Sequence, residues 1–234
     1  MQAVRAAKQY WGGGGGGGEG GGQREKSGGE EFGGGERGRE RQKQAVRQEI
    51  LDAARELFIK DGYENVTMRK IAEKIEYSPT TIYLHFNDKA DLVRFLCEEA
   101  FVKLVDMFEK LGEDLSDPLL ALKRCGRAYV DFGLRYPNDY RVTFMMALKP
   151  EAPEDYLRED SMSLKAYGYL RMIVEECIRQ GKFRNVELES ATQSMWITVH
   201  GITSLIIAMP DFPWADQEHV IDQTIDKIIA GFAA

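Results

Sequence analysis

The stretch that decides the fold is RQEILDAARELFIKDGYENVTMRKIAEKIEYSPTTIYLHFNDKADLV, residues 47–93. Its apolar residues return every three or four positions, the period of an amphipathic helix. Val46, Ile50, Ala53, Ala54 and Leu57 share one face of a helix expected from Ala45 to the natural stop at Gly62. Thr67 is suited to cap a second helix, whose inner face is Met68, Ile71, Ala72 and Ile75. After a break at Glu76–Tyr77, Ser78 caps a third helix. Pro79 takes its first position, where a missing N–H costs least. Ile82 and Phe86 face inward. Asn87 or Asp88 then caps a long fourth helix marked by Leu92, Leu96, Leu104, Met107, Phe108 and Leu111.

Two short helices joined by a tight turn, with a helix bracing each side, form a helix-turn-helix. In that layout the second short helix enters the major groove of DNA. Burying Ile82 and Phe86 turns Pro79, Thr80, Thr81, Tyr83, Leu84 and His85 outward. Threonine offers a hydroxyl to phosphates or bases and a methyl to thymine, and tyrosine and histidine donate to phosphate oxygens. Just upstream, ERGRERQKQ at 36–44 carries Arg37, Arg39, Arg41 and Lys43. A basic arm of this kind reaches the minor groove or the phosphates. Glu36 and Glu40 dilute it, and the alternative is a solvated tail.

This stretch resembles the DNA-binding domain of the TetR family of transcriptional regulators. The resemblance rests on the Ile50–Phe58 helix, the Gly62–Tyr63 turn, TMRKIAEKI at 67–75 and SPTTIYLHFNDKADL at 78–92. The last run fits the pattern S-x-x-T-[LI]-Y-x-H-F-x-x-K-x-x-L. By resemblance, Thr67, Arg69, Thr81, Tyr83, His85 and Lys89 take DNA-contact positions, with Lys89 gripping phosphate. The family usually has glycine where Glu76 stands. A left-handed backbone there would cost glutamate about 1 kcal/mol.

The rest of the chain fits this assignment. Of 24 glycines, 16 fall in residues 1–44, a segment expected to be disordered because glycine buries nothing and loses most entropy on ordering. Its poly-glycine run contains GxGxxG trivially, with no strand before it, so a nucleotide-binding reading fails. The expected organisation is a disordered segment over 1–44, a helix-turn-helix domain over 45–90, and a helical ligand-binding and dimerisation domain over 91–234. The net charge of −7 is unevenly spread. Residues 36–94 hold 12 Lys and Arg against 11 Asp and Glu, whereas residues 95–234 hold 15 against 23. The acid therefore sits away from the reading head. No apolar run reaches the length of a membrane span, no signal peptide is recognisable, and Cys97, Cys125 and Cys177 form no pair motif. A cytoplasmic protein with reduced cysteines is expected.

Further helices are expected at 118–135, 138–148, 154–180, 188–209 and 215–231, each punctuated by proline or glycine. No segment alternates like a strand, so the fold class is all-α with about nine helices. YVDFGLRYPNDYRVTFMM at 129–146 resembles a segment common in TetR-type ligand domains. MWITVHGITSL at 195–205 resembles the W-x-x-x-H-G signature of one subgroup. A mostly apolar effector is expected among Tyr129, Phe132, Phe144, Met145, Met162, Tyr167, Trp196 and His200, where aromatic and methionine residues concentrate. Two readings stand for His200: a polar anchor at the pocket or dimer seam, or a satisfied core histidine beside a packed tryptophan. The methionines are open to a plain core reading as well.

The last two helices are richer in apolar residues than one inner face requires. They carry Trp196, Ile197, Leu205, Ile206, Ile207, Ile221, Ile225, Ile228 and Ile229. A homodimer through these helices is expected, matched to a palindromic site on double-stranded operator DNA. Charged substitutions at Ile206 or Ile225 are expected to dissociate or unfold it. An enzyme is disfavoured: the chain has three histidines, no metal-ligand spacing, no nucleophile motif and no P-loop. No cofactor or metal is expected. The competing reading is a helical interaction or ligand-binding protein without sequence-specific DNA binding.

Overall fold

The computed structural model describes residues 33–112, 114–146 and 161–234. Among them are nine helices and no sheet, the all-α class expected. They are α1 (Gly33–Asp61), α2 (Met68–Lys74), α3 (Pro79–Tyr83), α4 (Lys89–Glu109), α5 (Pro118–Arg135), α6 (Pro137–Tyr140), α7 (Met162–Arg179), α8 (Leu188–Ala208) and α9 (Gln217–Phe232). A 3-10 turn, Tyr63–Asn65, separates α1 from α2, and one π turn, Arg141–Met145, continues α6.

Side-chain caps set most of the helix starts. Thr67 Oγ1 accepts from the Lys70 N–H and Ser78 Oγ from the Thr81 N–H. Asp88, rather than Asn87, caps α4 through the Asp91 N–H at 2.7 Å. Asp117, Ser161, Glu187 and Asp216 cap α5, α7, α8 and α9 in the same way. Each such cap stabilises its helix by about 1 kcal/mol. Ser161 explains one departure from the sequence reading: α7 begins at Met162, not 154, because Ser161 is extended and its hydroxyl takes the Leu164 N–H. Residues 147–160, where the end of one expected helix and the start of the next were placed, lie outside the described residues.

The first helix differs as well. It runs back to Gly33, so residues 33–44 are helical where a disordered segment was expected; residues 1–32 lie outside the described residues. Glu40 and Gln44 pair one turn apart at 2.9 Å, and Arg41 Nε donates to the Arg37 carbonyl. Local contacts of this kind carry the helix beyond its packed part.

Two apolar clusters form the interior. The first gathers Ile50, Leu51, Ala54, Phe58, Ile71, Ile82 and Phe86 with Leu92, Val93 and Leu96. The second gathers Ala100, Leu104 and Phe108 with the inner faces of α5, α7, α8 and α9. The 21 residues of α4, about 31 Å long at 1.5 Å per residue, contribute to both. Cys97, Cys125 and Cys177 are free, and burial pushes the Cys97 thiol up to about 11. Among the described residues, no helix is long and apolar enough to cross a membrane and no group of metal-ligating side chains is placed to hold an ion.

Candidate nucleic-acid interface and effector cluster

The reading head is built from α2 and α3. Ile71 and Ile82 are fully buried and Phe86 is 1% exposed, so the opposite side of α3 must face out. Pro79, Thr80, Tyr83 and Leu84 are exposed there, and Thr81 and His85 are half-buried. The turn between the helices requires Glu76 at φ 60°, the left-handed conformation that the missing glycine would have adopted without strain. Glu76 is exposed, so the strain is not compounded by burial.

Charge on this face is selective. Lys70 is paired with Asp61 and Lys74 with Glu56, both at 2.7 Å. Arg69, the residue before Lys70, is exposed and makes no ion pair among the described residues. Thr67 and Thr81 serve local structure first, as a cap and as a 3.0 Å hydroxyl partner of Ser78. Each hydroxyl keeps further hydrogen-bonding capacity. Burial, then the nearby charges of Lys43 and Arg47, hold the His85 imidazole below its ordinary pKa. The same charges place the α1 cations beside the end of α3. Arg37, Arg39, Arg41 and Lys43 are exposed on α1, so the basic stretch of 36–44 is presented from a helix.

Lys89 behaves differently from a free phosphate grip. Its ammonium donates to the Tyr63 carbonyl at 2.7 Å and lies 4.0 Å from the Tyr63 ring centre. It ties the Gly62–Tyr63 turn to the start of α4 and keeps two N–H donors for other partners. Leu84, expected to turn outward but not assigned a contact, is 75% exposed at the end of α3, and a large apolar side chain standing there unsupported marks a surface suited to being covered.

The expected effector residues divide into a group that meets and a group that does not. Tyr129, Phe144, Trp196 and His200 meet. Trp196 Nε1 donates to Tyr129 Oη at 3.3 Å, and the His200 ring packs against Phe144 and Trp196. Tyr167 touches Trp196 edge-on and donates its hydroxyl to Glu189 at 2.9 Å. Phe132 is fully buried one layer away, against Tyr136 and Tyr140. Met162 is partly buried against the C-terminal core and Met145 is 37% exposed, and neither joins the cluster through a hydrogen bond or ring contact among the described residues.

The residue that joins this group is Tyr140, which the sequence reading did not select. It is fully buried, its hydroxyl lies 2.7 Å from His200 Nδ1, and its ring touches Tyr129, Phe132 and Phe144. Its place four residues before Phe144 on a helix was the signal in the sequence. Burial pushes the Tyr140 hydroxyl well up, raises Tyr129 to about 12 and lowers His200. The cluster is therefore uncharged near neutral pH, offering hydroxyls, an indole N–H and an imidazole inside an aromatic wall. Two shallow, open surface hollows lie elsewhere, one at Arg37, Glu40 and Arg41 and one beside Arg47 and Phe95.

The apolar excess of the last two helices also divides. Ile206 is 6% exposed, and Ile221 and Ile225 are fully buried, inside the chain's own core. Ile197 at 66% and Leu205 at 50% stand in the open on α8, with Gly201 between them and nothing within 4 Å of where its side chain would begin.

Comparison with known proteins covers both halves. Residues 50–95 match the family described as bacterial regulatory proteins, tetR family. Residues 122–230 match the one described as tetracyclin repressor-like, C-terminal domain. The probable HTH-type transcriptional regulator ArpR of Pseudomonas putida is 26% identical over 195 residues, 79% of this chain and 92% of that protein. HTH-type transcriptional regulator SAB2452 of Staphylococcus aureus (strain bovine RF122 / ET3-1) is 32% identical over 68 residues, 29% of this chain and 37% of the relative, well under two thirds of its length. The crystal structure of the TetR family transcriptional regulator PfmR from Thermus thermophilus matches with a TM-score of 0.62 at 26% identity, over 77% of this chain and 97% of that one. A regulatory protein in the tetR family from Rhodococcus RHA1 has the same fold, with a TM-score of 0.68 at 18% identity over 80% and 97% of the two chains.

Proposed function

The chain belongs to the tetR family of bacterial regulatory proteins, and we propose that it is a ligand-responsive repressor that binds palindromic operator DNA as a homodimer. The observation that carries this reading is the outward face of α3. Thr80, Tyr83 and Leu84 stand exposed there over a fully packed Ile82, and Arg69 of α2 is exposed with no ion pair among the described residues. A face of hydroxyls, one aromatic and one aliphatic side chain suits base edges and thymine methyls. Arg69, His85, Lys89 and the α1 cations surround it and suit phosphates, which fix register. Thr67 caps α2, Ser78 and Pro79 set the start of α3, and the Thr81 hydroxyl meets the Ser78 cap, so both helices begin at fixed positions facing the groove. A regulator of this kind works beside the chromosome, which places it in the cytoplasm.

Ile197 and Leu205 support dimerisation through α8 and α9, since exposed aliphatic side chains flanking an open glycine suit close approach of a second copy. The effector site is the cluster of Tyr129, Tyr140, Phe144, Trp196 and His200. Its aromatic lining and neutral donors favour an uncharged, largely apolar molecule with one hydrogen-bonding group. The test is selection of fragments from random DNA by the purified chain. Recovery of a two-fold symmetric sequence with half-sites about one helical turn apart supports the reading. Fragments with no common sequence would overturn it in favour of a helical ligand-binding protein without sequence-specific DNA binding.

A further inference from the structure

Four side chains of the aromatic cluster are joined end to end by hydrogen bonds. Trp196 Nε1 lies 3.3 Å from Tyr129 Oη, Tyr129 Oη lies 3.3 Å from Tyr140 Oη, and Tyr140 Oη lies 2.7 Å from His200 Nδ1. This series has a direction. An indole nitrogen only donates, so Tyr129 accepts from Trp196 and has its own proton to pass to Tyr140. Tyr140 then gives its proton to His200 Nδ1. The 2.7 Å separation is usual for a hydroxyl donor, whereas bonds given by N–H centre near ~2.9–3.0 Å. With the proton on Nδ1 instead, the Tyr140 hydroxyl would keep only 3.3 Å contacts, to the His200 carbonyl or to Tyr129.

Packing holds the series in place. Tyr140 is fully buried and Tyr129 is 5% exposed. A side chain begun at Gly133 of α5 would overlap Thr203 and stand 2.9 Å from the Tyr140 ring, so the ring has no slack on that side. Burial keeps the His200 ring neutral near neutral pH, and a neutral imidazole carries a single N–H. With Nδ1 accepting, that proton sits on Nε2. His200 is half-buried, and its Nε2 makes no hydrogen bond among the described residues. Of the four donors in the series, it alone has no acceptor there. The rings of Phe144 and Trp196 flank it, with centres 5.9 and 6.4 Å from that of His200. The charged groups that reach the cluster through Tyr167, Glu189 and Arg171, are paired with each other at 2.5 Å.

We infer that the effector carries a carbonyl oxygen, of a ketone, ester or amide, that accepts the His200 Nε2–H while its apolar body lies against Phe144 and Trp196. This rests on the reading of the Tyr129–His200 cluster as the effector site. It adds a polarity to that site: Trp196, Tyr129 and Tyr140 spend their protons inward, and His200 presents one outward. A ligand whose polar group only donates meets no acceptor at Nε2. Tyr140 is a positioning residue, since it acts on the ligand only by fixing the tautomer of His200.

Nitrogen NMR on the isotopically labelled full chain tests the tautomer without a ligand. The imidazole signals that vanish in His200→Gln are expected to show a protonated Nε2 and an unprotonated Nδ1 at pH 7.5. Tyr140→Phe, which keeps the ring, is expected to spread the proton over both nitrogens. A titration of the same sample with indane, indole and 1-indanone tests the ligand class. The three are alike in size, and carry no polar group, a donor only and an acceptor only. The preference for 1-indanone over indane is expected to fall about fivefold in His200→Phe, the worth of one neutral hydrogen bond, while the ratio of indole to indane stays unchanged. A proton found on Nδ1, or a preference for 1-indanone that survives His200→Phe, overturns the proposal. If His200→Phe does not fold, indole bound as tightly as 1-indanone by the wild-type chain overturns it as well. Failure of all three compounds to bind would strike the effector reading itself, with the tautomer still decided by the spectrum of the free chain.

Discussion

The guanidinium of Arg47 lies 4.5 Å from the centre of the Phe86 ring and 4.0 Å from that of Phe95. The two rings meet edge-to-face at 5.6 Å, so one cation of α1 locks the end of the reading unit to the start of the long helix. Partly desolvated cation–π contacts stabilise by about 1–2 kcal/mol. Arg47→Ala is expected to lower unfolding stability by about 1 kcal/mol in a denaturant titration, with Arg47→Lys recovering only part. An unchanged midpoint would contradict the contact.

Glu76→Gly is expected to raise stability. At φ 60° glutamate carries about 1 kcal/mol of strain that glycine does not. The same denaturant titration checks it, and a loss of stability would mean that the glutamate side chain contributes more than its backbone costs.

His200 and His85 are both held below the ordinary histidine value, first by burial, so each is neutral in the fold and more readily protonated when unfolded. The unfolded chain therefore binds more protons between the lowered folded values and about 6.5, and stability rises with pH across that window. Their contribution is complete above about pH 6.5 and is lost as pH falls through the folded values. Melting temperature is expected to fall from pH 7.5 to pH 5.5, and His200→Gln to reduce that slope. An identical slope in the variant would remove His200 from the account.

Ile197→Glu combined with Leu205→Glu is expected to give a folded monomer by sedimentation, because both side chains are exposed in the single chain. Ile225→Glu, at a fully buried position, is expected to unfold the protein. A dimer that survives the double substitution would place the interface elsewhere.

The helix-turn-helix was legible because local rules carried it. Ser78 before Pro79, Asp88 before α4 and the spacing of Ile82 and Phe86 are short-range signals, and each element formed where they pointed. Glu76 was legible as a departure with a definite backbone consequence. The aromatic cluster proposed for the effector was less so. Tyr129, Trp196 and His200 were named from composition, but Tyr140 joins them only when α5, α6 and α8 pack, and no spacing announces a contact across 60 residues. The same holds for Lys89, whose partner is a backbone carbonyl 26 residues away. The excess of isoleucines in the last two helices could not be divided between core and partner until tertiary packing covered Ile206 and Ile225 and left Ile197 and Leu205 open. The helical extension of α1 to Gly33 was hidden by glycine content.

The central claim is that the exposed face of α3 reads operator sequence while the surrounding cations hold phosphate. Fluorescence anisotropy on the selected DNA site, with a scrambled site alongside, tests it most directly across salt from about 50 to 200 mM and in Thr80→Ala and Arg69→Ala. Affinity for the selected site is expected to fall about a hundredfold or more over that range, as phosphate contacts give way to counterions. Arg69→Ala is expected to weaken both sites alike. Thr80→Ala is expected to narrow the preference for the selected site by about tenfold, the worth of one good base contact. Binding that ignores salt, or a preference left intact when both Thr80 and Tyr83 are replaced by alanine, would contradict the account.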